Sequence, residues 1–137
     1  MAYLLAAVGG ALGALARWGL ATALPSSPGG WPWATLLVNL TGCLLLGVLL
    51  GAVFARFPGR AWLRPLLGTG VCGGYTTYST FAVDVVRLVD DGAAGIAAGY
   101  VLASVAGGLL ATAVGVQLGR LGGAPLTAVV RAEEEVA

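Results

Sequence analysis

Four long apolar stretches, separated by short clusters of proline, glycine, arginine or aspartate, take up nearly the whole chain of 137 residues. A water-soluble fold of this size has too little interior to hide so much apolar side chain. Hydrophobic residues make up 58% of the chain and charged residues only 9%, against roughly 25% charged in soluble domains. A helix that crosses a bilayer needs about 20 apolar residues, so four such stretches leave no room for a separate soluble domain. The bilayer is the expected solvent. The expected fold is an all-α membrane protein of four transmembrane helices.

The first stretch, about 3–24, runs into Pro25-Ser26-Ser27-Pro28-Gly29-Gly30, a dense set of helix breakers. It lacks the basic leader of a signal peptide and is expected to stay as a helix. The second, about 33–54, opens with Trp31 and Trp33, where an interfacial aromatic belt would place them. The third covers about 66–89 and is interrupted. Its centre reads Gly70-Val71-Cys72-Gly73-Gly74-Tyr75-Thr76-Thr77-Tyr78-Ser79-Thr80-Phe81, a poor helix former, so a break is expected there. The fourth covers about 93–118. The organisation expected is one transmembrane domain over 1–122 and a polar tail over 123–137 that carries Glu133, Glu134 and Glu135. Glycines recur four apart at Gly9 and Gly13, Gly47 and Gly51, Gly70 and Gly74, and Gly115 and Gly119. That spacing lets membrane helices approach closely.

Charge and composition exclude several functions. A net charge of +1, with seven arginines and no lysine, is not the dense basic face that nucleic acid requires. Histidine is absent, no acidic pair sits inside the apolar stretches, and no phosphate-binding loop is present, so catalysis has little support. Cys43 and Cys72 lack metal-ligand spacing and read as small buried hydrophobes.

Polar groups in hydrocarbon are costly, and each is a functional suspect. Arg17 reads either as a snorkelling side chain or as a cation that concentrates anions in a vestibule. Asn39 offers N–H donors for an interhelical bond or for a passing anion. The hydroxyl run from Thr76 to Thr80 follows a glycine pair where apolar residues would cost least. A break at that point frees carbonyls, which are good ligands for a hard cation, while hydroxyls can donate to an anion. Tyr100, Ser104, Gly108 and Thr112 are four apart and share one helix face, a candidate polar track. Asp84 could pair with Arg87 one turn on, or face Arg17 across a vestibule.

Three motifs carry a resemblance: Gly9-Gly10-Ala11-Leu12-Gly13-Ala14-Leu15-Ala16-Arg17-Trp18, Thr35-Leu36-Leu37-Val38-Asn39-Leu40-Thr41-Gly42, and Gly73-Gly74-Tyr75-Thr76-Thr77-Tyr78-Ser79-Thr80-Phe81. In this order, and in a chain of this length, they resemble the Fluc (CrcB) family of bacterial fluoride channels. The resemblance covers all but the tail. It implies passive export of fluoride through the bacterial plasma membrane, and with it fluoride resistance. It implies two chains inserted antiparallel as a dimer, with a central Na⁺ held by backbone carbonyls of Gly73 and Thr76. It implies a fluoride pore with an amide at Asn39 and aromatics at Tyr78 and Phe81, flanked by Ser79 and Thr80. It implies a track at Tyr100, Ser104 and Thr112 and a vestibule at Arg17 and Asp84. Two positions depart from the family pattern: Tyr78 stands where phenylalanine is usual, and Gly108 where the track often has a hydroxyl.

The arginines pose a further question. Arg56, Arg60, Arg64, Arg120 and Arg131 fall on one side of the expected helices, and Arg87 on the other. The positive-inside rule then favours cytoplasmic termini, whereas a dual-topology chain should show little bias. Two partners stay open: a second copy in antiparallel orientation, or an oppositely oriented paralogue. A four-helix drug/proton antiporter would need a carboxylate in the first helix, which has only Arg17 as a charged group. A structural membrane subunit would tolerate loss of Asn39 and Phe81.

Overall fold

The structure, a computed structural model, describes residues 1–25, 27–53, 56–57 and 59–121. The tail over 123–137 and the expected end of the second helix at Phe54 lie outside the described residues. These residues form helices, turns and extended segments, and no strand occurs among them. Helix α1 is Ala2–Ala23. Helix α2 is Trp33–Val48 and continues as a π-helical turn, Leu49–Val53. Helix α3 is π-helical over Arg64–Cys72 and closes with one α turn, Gly73–Tyr75. Helix α4 is Tyr78–Asp90 and α5 is Ala94–Leu121.

The ends of these helices follow local chemistry. The Leu24 amide donates to Leu20 O at 3.1 Å, and Pro25 follows, which disfavours helical backbone at the residue before it. The α4–α5 turn is a Schellman motif. Gly92 takes φ +76, a left-handed value that glycine adopts without a Cβ penalty. Its amide donates to Val89 O at 3.0 Å and that of Ala93 to Leu88 O at 2.8 Å. Asp91 reaches across to accept from the Gly29 amide at 3.0 Å, tying this turn to the α1–α2 loop.

Among the described residues, three helices are long and apolar enough to cross a membrane: Ala2–Ala23, Trp33–Val53 and Ala94–Leu121. The third apolar stretch is split between α3 and α4, as its glycines and hydroxyls predict. The break is two extended residues: Thr76 at φ −74, ψ 159 and Thr77 at φ −149, ψ 126.

The glycine spacings explain how the helices pair. α1 packs chiefly on α3, and α2 on α5. A Cβ on Gly9 would meet the backbone of Leu66, Gly70 and Val71, and one on Gly13 that of Val71, Gly74 and Tyr75. A Cβ on Gly74 would in turn meet the backbone of Gly10. On the other pair, Gly47 faces Thr112, Gly115 and Val116, while Gly119 faces Val48, Gly51 and Ala52. Each pair thus meets backbone to backbone, which only glycine permits. A small core of Leu36, Leu88, Ala97 and Tyr100, flanked by Trp31, Leu40 and Phe81, joins α2, α4 and α5. Large apolar side chains point outward along α1 (Leu4, Val8, Leu12, Leu15) and α5 (Leu102, Leu109, Leu110), as a lipid solvent allows.

Candidate functional site: a cavity at the broken helix

The break places the polar residues. Thr77 caps the N-terminus of α4: its Oγ1 accepts from the Thr80 amide at 3.1 Å. The same hydroxyl lies 3.0 Å from Thr80 Oγ1 and 3.3 Å from Ser79 Oγ. Asn39, from α2, clamps Thr77 from the side. Its Nδ2 donates to Thr77 O at 3.0 Å, and its Oδ1 accepts from the Thr77 amide at 2.9 Å. Both backbone groups of Thr77 are thereby satisfied, as a membrane interior demands. Asparagine has two amide hydrogens, so one remains for another acceptor.

These bonds have a consequence for two carbonyls. In a continuous helix, Gly73 O would accept from the Thr77 amide and Thr76 O from the Thr80 amide. Here the Thr77 amide goes to Asn39 and the Thr80 amide to Thr77 Oγ1. Gly73 and Thr76 therefore keep carbonyl lone pairs without their usual helical donors. Gly73 is exposed, and Tyr78 beside it is 81% exposed.

A cavity of about 430 Å³ opens at the break, lined by Asn39, Thr76, Thr77, Tyr78, Phe81 and Ser104, with Gly73 and both cysteines on its wall. The sequence-predicted amide, both aromatics and one track hydroxyl, that of Ser104, thus come together. The ring centroids of Tyr78 and Phe81 are 6.0 Å apart, and those of Phe81 and Tyr100 5.3 Å. Trp31 meets Tyr100 edge to face at 6.0 Å. Ser104 Oγ is shielded from solvent without a hydrogen-bond partner. Cys72 is buried and Cys43 half-buried, and both are free thiols.

The remaining candidates sit apart from this cavity. Tyr100 is fully buried and donates to Asp84 Oδ2 at 3.5 Å. Thr35 donates to the same oxygen at 2.6 Å. Asp84 thus takes its hydrogen bonds from two hydroxyls rather than from Arg87 or Arg17, because α2 and α5 present those hydroxyls to its face of α4. Arg17 opens onto a second cavity of about 350 Å³ shared with Thr35, Thr77 and Thr80. Asp84 and Arg87 line a third, of about 480 Å³, beside Asp90 and Asp91. Thr112 donates to Gly108 O at 2.9 Å, within its own helix.

Two residues of this constellation were not singled out from the sequence. Thr35 stands one turn before Asn39 on α2, a shared-face spacing that marks it in retrospect. Thr77 heads Thr77-Tyr78-Ser79-Thr80, a helix-capping arrangement hidden within the hydroxyl run.

Residues 4–116 match the family model described as CrcB-like protein, Camphor Resistance (CrcB). The chain is 46% identical over 112 residues to the fluoride-specific ion channel FluC 1 of Mycolicibacterium paratuberculosis, covering 82% of this chain and 85% of that one. It is 44% identical over 121 residues to the fluoride-specific ion channel FluC of Bordetella avium, covering 88% and 94%. It is 43% identical over 117 residues to FluC 2 of Geobacillus kaustophilus, covering 84% and 90%.

Proposed function

The chain belongs to the CrcB family, and from that membership we propose that it is a fluoride-selective channel that lets the ion leave the cell passively. It is a channel and not an enzyme. The observation that carries the reading is the cavity at the break, where Asn39, Tyr78, Phe81 and Ser104 meet. Relatives named fluoride-specific channels support it over most of the chain.

The chemistry suits a small, strongly hydrated anion. Fluoride leaves water only if other donors replace its shell. The spare Asn39 amide hydrogen and the unpartnered Ser104 hydroxyl are two such donors. Tyr78 and Phe81 offer ring edges, which are electropositive. None of these is a fixed cation, so the anion is held weakly enough to leave. Arg17, off this cavity, would raise the local anion concentration at a vestibule. Asp84, hydrogen-bonded by Thr35 and Tyr100, would close the far end of the track.

In this reading the chain crosses the bacterial plasma membrane four times, α3 and α4 together making one crossing. A second chain, inserted the opposite way, would cover the exposed Tyr78 and the open side of the cavity. The carbonyls of Gly73 and Thr76 suit a Na⁺ shared between the two chains, because each has lost its helical donor. The ion would supply a fixed positive charge and join the two broken helices.

Fluoride efflux from liposomes carrying the purified chain tests the function, with an electrode readout and chloride as control. Fast fluoride release without chloride release is expected, and Phe81→Ile should abolish it. Absence of release from well-folded native protein, both alone and together with an oppositely inserted paralogue, would overturn the reading.

A further inference from the structure

The fourth-helix track has a gap that a neighbouring helix fills. Along α5 the track runs Ser104, Gly108, Thr112, one turn apart. Gly108 has no side chain, and the Thr112 hydroxyl spends its hydrogen on Gly108 O at 2.9 Å. Between Ser104 and Thr112, α5 therefore offers no free side-chain donor on this face. Cys43 of α2 stands against this gap: a Cβ on Gly108 would be in ordinary van der Waals contact with it, 3.5 Å from Cys43 Sγ. Cys43 is a free thiol on the wall of the same cavity as Asn39, Phe81 and Ser104. Ser104 Oγ, one turn before Gly108, is shielded from solvent and has no partner, so this wall carries unspent polar capacity.

We infer that the Cys43 thiol is part of the ion path, standing in for the hydroxyl that Gly108 lacks. The inference rests on the channel reading above and assigns to α2 a second donor, one turn beyond Asn39. A thiol S–H is a weak donor, and its sulfur is polarizable. It can follow a passing anion without holding it. Cys43 is thus more than the inert apolar filler that its sequence context suggests.

The test is the initial fluoride efflux rate of native protein, Cys43→Ala, Cys43→Ser and the double variant Cys43→Ala/Gly108→Ser in liposomes. Loss of one donor of this strength predicts a roughly threefold to tenfold slower rate for Cys43→Ala. Cys43→Ser should keep at least the native rate. The double variant should recover most of it, because the hydroxyl returns from α5. A structural thiol would show no such rescue. An unchanged rate in Cys43→Ala, or a folded double variant as slow as Cys43→Ala, overturns the inference and leaves the channel reading intact. Native protein that conducts neither alone nor with an oppositely inserted paralogue overturns both. Should Cys43→Ala not fold, methyl methanethiosulfonate on native protein decides the same question. It should slow efflux in native protein and not in Cys43→Ser. Failure to label Cys43, or labelling by mass spectrometry without slowing, overturns the inference.

Discussion

Asn39 shows how one side chain can serve a fold and a site together. It closes a two-point clamp on Thr77, at 3.0 and 2.9 Å, and still has one amide hydrogen to offer the cavity. Asn39→Ala leaves an N–H and a C=O unpaired inside the bilayer. The expected cost is about 1–3 kcal/mol for each unsatisfied group. Thermal unfolding in detergent should show the loss, and fluoride efflux should fall with it. A stable, conducting Asn39→Ala protein would contradict the clamp. The sequence already marked Asn39 as a donor of either kind. It could not tell which, because the choice depends on what the facing helix leaves unpaired. Thr35 was invisible for the same reason: only the approach of α4 gives its hydroxyl a carboxylate to meet.

The helices are defined by what they lack as much as by what they carry. Apolar length marked the spans, and the glycine pairs marked their contact faces, so both were legible in the residues. The partners were not, since spacing says that a face is flat without saying what lies against it. In the structure, the four glycine pairs sort into α1 with α3 and α2 with α5. Gly9→Leu drives a side chain into the backbone of α3, whereas at Gly19 a new Cβ meets nothing within 4 Å. Gel filtration should show little monodisperse Gly9→Leu protein and normal yields of Gly19→Leu. The break in the third stretch was legible as a defect. Its atomic form was not, because the cap at Thr77 and the clamp from α2 decide which carbonyls are released. If the Gly73 and Thr76 carbonyls hold Na⁺, purification in choline salts should lower the melting temperature by several degrees. Returning Na⁺ should restore it, and a melting curve indifferent to Na⁺ would count against the site.

For the whole molecule, an open cavity, an exposed Tyr78 and outward apolar faces fit a chain that works beside another. The arginine distribution leaves open which other. Tags on both ends, probed for accessibility in intact cells, should be equally exposed and protected if the partner is an identical chain in the opposite orientation. One-sided exposure would instead require a separate, oppositely inserted partner.

The glycine contacts also bear on how such a molecule is controlled. Two backbones pressed together have no side chains that could rotate to let one slide past the other, and switching proteins rely on interfaces with two alternative packings. A conduit built this way resembles fixed plumbing more than a valve. The flow it passes would then follow the ion gradient and the number of copies in the membrane, which places its regulation with the cell's rate of synthesis.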